Sequence, residues 1–180
     1  MNTIKKMIPV LALCLTGFNL KAQDFHLSQY DAASLNVNPA MTGMFEGLYR
    51  IHAHYRTQWQ AVNNRPFQTF AASFDMPLDK FAVGGQLMDY TAGTGNYNVF
   101  SFLASGSYDW IIDKKKEYHH LSMGTQLGFI QKSIRFSKLT WDEQYTYSGG
   151  GTFDTSIPSG ETMGDEGVLM PDVNLGLIYY

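Results

Sequence analysis

Four basic side chains recur at every second position of the stretch LYRIHAHYR, residues 48–56: Arg50, His52, His54 and Arg56. Imidazoles two apart on an extended chain share a face, which is one way to begin a metal site, and they titrate near neutral pH. No Cys or carboxylate stands at ligand spacing beside them, however, and the flanking arginines repel a cation. The reading is therefore a solvated set lining a wet interior. The remaining candidates for chemistry are weaker. The serines have no His/Asp partner pattern for a triad. TAGTGN at 91–96 has glycines but neither the lysine nor the helix of a phosphate cradle. The carboxylates Asp142, Glu143, Asp154, Glu161, Asp165 and Glu166 lack the Asp-x-Asp-x-Asp-Gly order of a calcium loop. The expectation is a protein that is not an enzyme, with no cofactor and no metal site.

What element presents four bases on one side? A helix scatters them, whereas a strand sets them opposite Tyr49, Ile51, Ala53 and Tyr55. One face is wet and the other dry. Five more segments alternate in the same way. In 67–75, Phe70, Ala72 and Phe74 oppose Thr69, Ser73 and Asp75; in 81–90, Phe81, Val83 and Leu87 oppose Gly84 and Gln86. In 97–110, Phe100, Phe102, Ala104, Tyr108 and Trp110 oppose Ser101, Ser105, Ser107 and Asp109. In 120–132, Leu121, Met123, Leu127 and Phe129 oppose Ser122, Gly124, Gln126 and Gly128, and in 171–180 Val173, Leu175, Leu177 and Tyr179 oppose Asn174 and Gly176. Strands of about ten residues with small, polar second faces are the signature of an antiparallel transmembrane β-barrel, and they exceed the usual soluble strand. The competing reading is a soluble sandwich, whose solvent face normally carries more Lys and Glu than these do. Glycine and serine are poor strand formers, so their gathering on one face asks for a reason; a crowded, wet barrel interior supplies one.

The N-terminus agrees with export. Lys5 and Lys6 precede an apolar run, 7–18, too short to span a bilayer, and Ala22 offers a cleavage point, so 1–22 reads as a signal peptide. Cys14 follows Leu13, where a lipid-modification site needs a small residue, and leaves with the signal. Charged residues make up 16% of the chain, below the usual quarter, against 12 Phe and 11 Tyr, and the mean hydropathy of -0.19 suits strands that dilute apolar residues with polar ones. A net charge of -3 without a basic stripe gives no footprint for nucleic acid. Loop lengths give a further test. With the N-terminus in the periplasm, 57–66, 91–96 and 133–170 face outside, and the longest connection falls on the side where barrels carry their long loops.

The segment FHLSQYDAASLNVNPAMTGMFEG resembles the opening of the PorP/SprF family, outer-membrane proteins associated with the type IX secretion system of Bacteroidetes. The matching positions are Ser28, Gln29, Tyr30, Leu35, Asn36, Asn38, Pro39, Ala40, Thr42 and Gly43, then Arg56, Gln58 and Trp59; FAVGGQL, LSMGTQLGF and PDVNLGLIYY look like further family strands. The resemblance implies a cell outer membrane location and a role in the secretion or surface attachment of large proteins such as gliding adhesins. It also implies partners in membrane lipid, periplasmic components of the system and a secreted surface protein. A passive porin-like channel, with Arg50, His52, His54 and Arg56 lining the pore, is the alternative. Family barrels are larger, so this chain is expected to be C-terminally truncated, with 23–47 as a plug or periplasmic segment and 48–180 as about six strands of a partial barrel. An open sheet is expected, closing only if the lead-in adds a strand. Within that lead-in, Ser28, Gln29, Tyr30, Asn36, Asn38, Pro39 and Gly43 are the candidate partner contacts.

Overall fold

The computed structural model describes residues 27–61, 66–93, 95–112, 119–147, 150–161 and 163–180; the signal segment 1–22 lies outside the described residues. Six long strands follow one another as an antiparallel meander: β1 (Arg50–Gln58), β2 (Phe67–Leu78), β3 (Phe81–Ala92), β4 (Tyr97–Ile111), β5 (His120–Ile134) and, after a two-stranded hairpin of β6 (Tyr145–Thr146) and β7 (Thr152–Phe153), β8 (Glu166–Tyr179). The sheet order is β1-β2-β3-β4-β5-β8, so β1 and β8 are its two edges. No helix among the described residues is long and apolar enough to cross a membrane.

Each strand alternates as its sequence requires, and the register aligns the faces across all six. Ile51, Phe74, Gly85, Ala104, Leu127 and Val173 form one continuous row. That row and its neighbours turn outward, with Tyr55, Phe102, Leu127 and Leu175 exposed, the last at 80%. The buried face holds Thr69, Asp75, Gln86, Ser105, Ser122 and Gln126. A soluble sandwich does the reverse, because burying bulky apolar groups away from water drives its folding. An outward apolar, inward polar sheet is stable only with lipid outside, so the sheet has the form of a membrane barrel wall. Its dimensions agree. On β4 the outward aromatics run from Phe100 to Trp110, a rise of about 34 Å along the strand and, at a tilt of about 40°, about 26 Å across the bilayer. The lower border is aromatic, with Phe81 against Tyr108 at 4.9 Å between ring centroids. Such girdles mark membrane interfaces.

Several strand limits differ from the sequence expectation. β1 starts at Arg50 rather than at 48, β2 continues to Leu78 and turns through Asp79 and Lys80 alone, with Asp79 at a φ of 59°. β8 begins at Glu166, five residues before Pro171, which narrows the long connection to 135–165. Proline usually ends a strand, but β8 pairs on one side only, and an edge tolerates the missing N–H. Pro77 is tolerated in β2 for a related reason, since β1 reaches only the Asp75 position and leaves Pro77 paired to β3 alone.

Among the described residues the lead-in adds no strand to either edge. Residues 27–43 lie across the polar face as a short turn, one turn of α-helix, α1 (Ser34–Val37), and a 3-10 turn at Pro39–Met41.

Candidate functional site

Ser34–Val37 is too short to hold itself as a helix, and the one-turn Pro39–Met41 is no better, so the path of this segment is set by what it touches. Asn38 begins it. Its side-chain Oδ1 accepts from the Ala40 N–H at 2.9 Å, capping the 3-10 turn with Pro39 at the position where a missing N–H costs least. From there each residue meets a different strand. Asn38 Nδ2 donates to Leu177 O on β8 at 3.3 Å, and Ser122 Oγ on β5 donates to Ala40 O at 2.7 Å. On β4, Ser107 Oγ donates to Thr42 O at 2.7 Å, and Ser105 Oγ is hydrogen-bonded to Thr42 Oγ1, which itself donates to Pro39 O. Gly43 N–H donates to Asp75 Oδ2 on β2 at 2.7 Å while Gly43 lies against Ala82 of β3. Arg50 of β1 completes the set, donating to Met41 O at 3.1 Å. All six long strands are therefore tied together across their inner face by residues 38–43.

The geometry of that strip explains the small residues of the wall. Gly124 and Gly176 face each other in the β5–β8 register. A Cβ on Gly124 would lie 2.3 Å from Pro39 C, and one on Gly176 would lie 1.9 Å from Asn38 Oδ1. The two glycines thus form a notch that only a side-chain-free wall can offer, and Ala40 sits in it at 0% exposure. Gly43 is glycine for two reasons, a φ of 75° and an Ala82 methyl that would stand 2.2 Å from any Cβ. The five Cα steps from Asn38 to Gly43 span about 13 Å in this partly turned form, against roughly 19 Å for four strand spacings. For one short segment to reach all six strands, the sheet must curl round it.

Two flanking contacts extend the strip. Arg50 and Asp75 are paired across β1 and β2 and form a fork, Nε to Oδ1 at 3.0 Å and one terminal nitrogen to Oδ2 at 2.7 Å. Asp75 is 1% exposed, and the Phe45 ring lies 4.7 Å beneath the guanidinium. Gln126 Nε2 donates to Leu35 O at 2.8 Å, with Gln126 2% exposed. Farther along, Leu27 and Ala33 pack on Ala71 and Met88. Beyond the floor made by Asn36, Val37 and Pro39 a compartment of about 470 Å³ opens, lined by polar groups that include Gln86, Ser101 and Lys132.

The sequence-predicted residues divide into groups. Asn38, Pro39, Gly43 and Arg50 come together in the strip. Ser28 and Gln29 lie in an exposed turn beside His54 and Arg56, around a space of about 310 Å³, while Tyr30 is exposed and Asn36 faces the compartment. His52 and His54 are half-buried on the inner face with ring centroids 6.1 Å apart, and His52 Nδ1 and His54 Nε2 are buried without a hydrogen-bond partner. Among the described residues no group of three or more His, Cys, Asp or Glu converges. Gln126 lines the same compartment, but its amide is taken by Leu35 O and the residue is 2% exposed. The wall residues Ser105, Ser107, Ser122, Gly124 and Gly176 were visible as a small inner face but not as a seat, since only the register shows which of them adjoin.

The family described as type IX secretion system membrane protein PorP/SprF matches residues 19–180. This chain belongs to the PorP/SprF family. Membership gives the inside-out sheet its setting, since the family is an outer-membrane part of a secretion system and its surroundings are membrane lipid and secretion-system partners. No curated protein and no solved structure matches the chain.

Proposed function

We propose that this PorP/SprF chain supports the secretion or surface attachment of large proteins, gliding adhesins among them, as a non-enzymatic barrel whose interior is filled by its own lead-in. The observation that supports this reading is the strip of residues 38–43, which is hydrogen-bonded to five of the six long strands and packs on Ala82 of the sixth. A passive channel needs a continuous wet path through its lumen, and at the level of residues 38–43 the inner hydroxyls and the Arg50–Asp75 fork are engaged by backbone groups of the lead-in. The lead-in enters at the ends of the strands that the short Asp79–Lys80 turn marks as periplasmic, so the periplasmic components of the system meet it from that side. Surface carriage of the client falls to the long connection 135–165 at the opposite end.

Two measurements test the proposal together. Deleting the gene in its host should abolish surface display of the large secreted protein while leaving small-solute uptake unchanged. Full-length protein in planar bilayers should show no steady conductance. A stable open pore, or undiminished display in the deletion strain, would overturn the role in favour of the channel.

A further inference from the structure

The contacts of residues 38–43 are separable into subsites, each demanding a residue type. At β8 and β5 the Gly124–Gly176 notch takes Pro39 and Ala40, and a larger residue than alanine has no room. On β4, Ser105 and Ser107 hold both the hydroxyl and the carbonyl of Thr42, which calls for a hydroxyl residue. At β2 and β3, Asp75 takes a backbone N–H from a residue that must be glycine. The Met41 side chain is half-buried, and its position is read only through its carbonyl, by Arg50. The wall therefore reads an Asn-Pro-small-x-Thr-Gly pattern mainly through hydrogen bonds and close backbone approach.

We propose that this strip is a peptide-binding groove, filled at rest by residues 38–43, that accepts in exchange a segment of an exported polypeptide bearing the same Asn-Pro-small-x-Thr-Gly chemistry and taking up the same turn. Taking an exported chain as the incoming ligand rests on the role proposed above. Exchange is physically open to it. The resident segment has no helix long enough to stabilise itself, and it buries few large side chains. The wall groups it leaves behind are hydroxyls, a backbone carbonyl and a paired carboxylate on a polar face, which water can satisfy until the newcomer arrives. What keeps the resident in place is its tether, worth an effective concentration on the order of millimolar, so a competitor prevails only when it is itself held nearby, as a chain in transit is.

The test removes the tether from the folded protein. A protease site placed between Glu46 and Gly47, both exposed, is cut in full-length protein in detergent micelles. A fluorescent peptide of residues 33–46 should then enter saturably. An unlabelled peptide sharing only the Asn-Pro-small-x-Thr-Gly pattern should displace it within about tenfold of the same concentration, whereas a scrambled one should need about a hundredfold more. Peptides with Thr42→Val or Gly43→Ala should bind at least about tenfold more weakly, and they leave the wall untouched should Gly124→Ala fail to fold. Equal competition by the scrambled peptide, or no exchange in cut protein that keeps its folded gel mobility, would overturn the groove. Because the exchange assay involves no secretion, its failure leaves the export role standing, and failure of the export role leaves the exchange result intact.

Discussion

Gly124→Ala isolates the seat of the lead-in from everything else the wall does. The new methyl would stand 2.3 Å from Pro39 C and 2.4 Å from Ala40 N, where ordinary contact begins near 3.4 Å, so one side must retreat by about 1 Å. β5 is bonded on both sides, to β4 and β8, and will not yield first. The 3-10 turn yields instead, which breaks the Ser122–Ala40 bond and strains those of Thr42 and Asn38. Three or four hydrogen bonds at about 0.5–1.5 kcal/mol each give a loss on the order of 2–6 kcal/mol in favour of the seated state. At 1.4 kcal/mol per decade that is about thirtyfold to ten-thousandfold in occupancy. The assay is maleimide labelling of Ser34→Cys, a near-isosteric change in the lead-in at a position only 5% exposed. Labelling should be slow in the single variant and fast in the double, with the heat-modifiable gel shift kept in both. Gly106→Ala is the control, since its Cβ meets nothing closer than 3.9 Å. Equal labelling rates with and without Gly124→Ala would refute the seat.

Four further outcomes are expected. Arginine at Phe102 or Leu127 should cost about 2–4 kcal/mol of barrel stability in a urea titration and arginine at Ser101 much less, while Gln126→Arg should loosen the lead-in instead, because its amide holds Leu35 O. Asp75→Asn or Arg50→Met alone should each destabilise by about 3–5 kcal/mol, and the double replacement by less than their sum, measured as a double-mutant cycle. A protease tag near Gly160 should be cut on intact cells and one at Lys114–Lys116 should not; the opposite pattern would reverse the topology. In the long connection, the side-chain and backbone hydrogen bonds from Ser156 hold the Asp154 carboxyl below its ordinary value. That turn is therefore favoured above the ordinary carboxylate range and lost as pH falls through the depressed value, and Ser156→Ala should raise the titration seen by NMR.

The two faces of the sheet were legible because a strand writes its environment every second residue. Phe102 and Ser101 declare opposite solvents without any knowledge of their neighbours. Strand ends were less legible. Glu166 and Gly167 are poor strand residues that join β8 because β5 offers Ile134 and Ser133 as partners, which is a tertiary fact. Leu103 was hidden for the opposite reason, an apolar residue on the polar face, buried with Ser105 two places on. The strip was the least legible of all. Asn38 meets Leu177, 139 positions away, and Ala40 meets Ser122, 82 positions away, and no local pattern reports such pairs.

Two oddities of the sequence nevertheless answer one another. Weak strand formers collect on the inner faces of β4, β5 and β8, and a wet interior alone accounts only for their polarity, since Thr would serve as well and build a better strand. Their smallness needs something solid pressed against them. The lead-in carries the complementary peculiarity: Asn-Pro-Ala-Met-Thr-Gly has too little apolar area to fold alone and turn chemistry in excess of what a flexible connector requires. Placed together, the glycines become clearance for Pro39 and Ala40, and the serines become donors to carbonyls that a one-turn helix leaves unpaired. The reach of that bargain is mechanical as well. Strands bonded only to their neighbours can shear or splay, whereas a cross-tie from Leu177 on β8 to Arg50 on β1 fixes the curl of the wall at one level. The same residues that cover the polar wall at that level therefore also brace it, and any event that lifts them off must loosen both together.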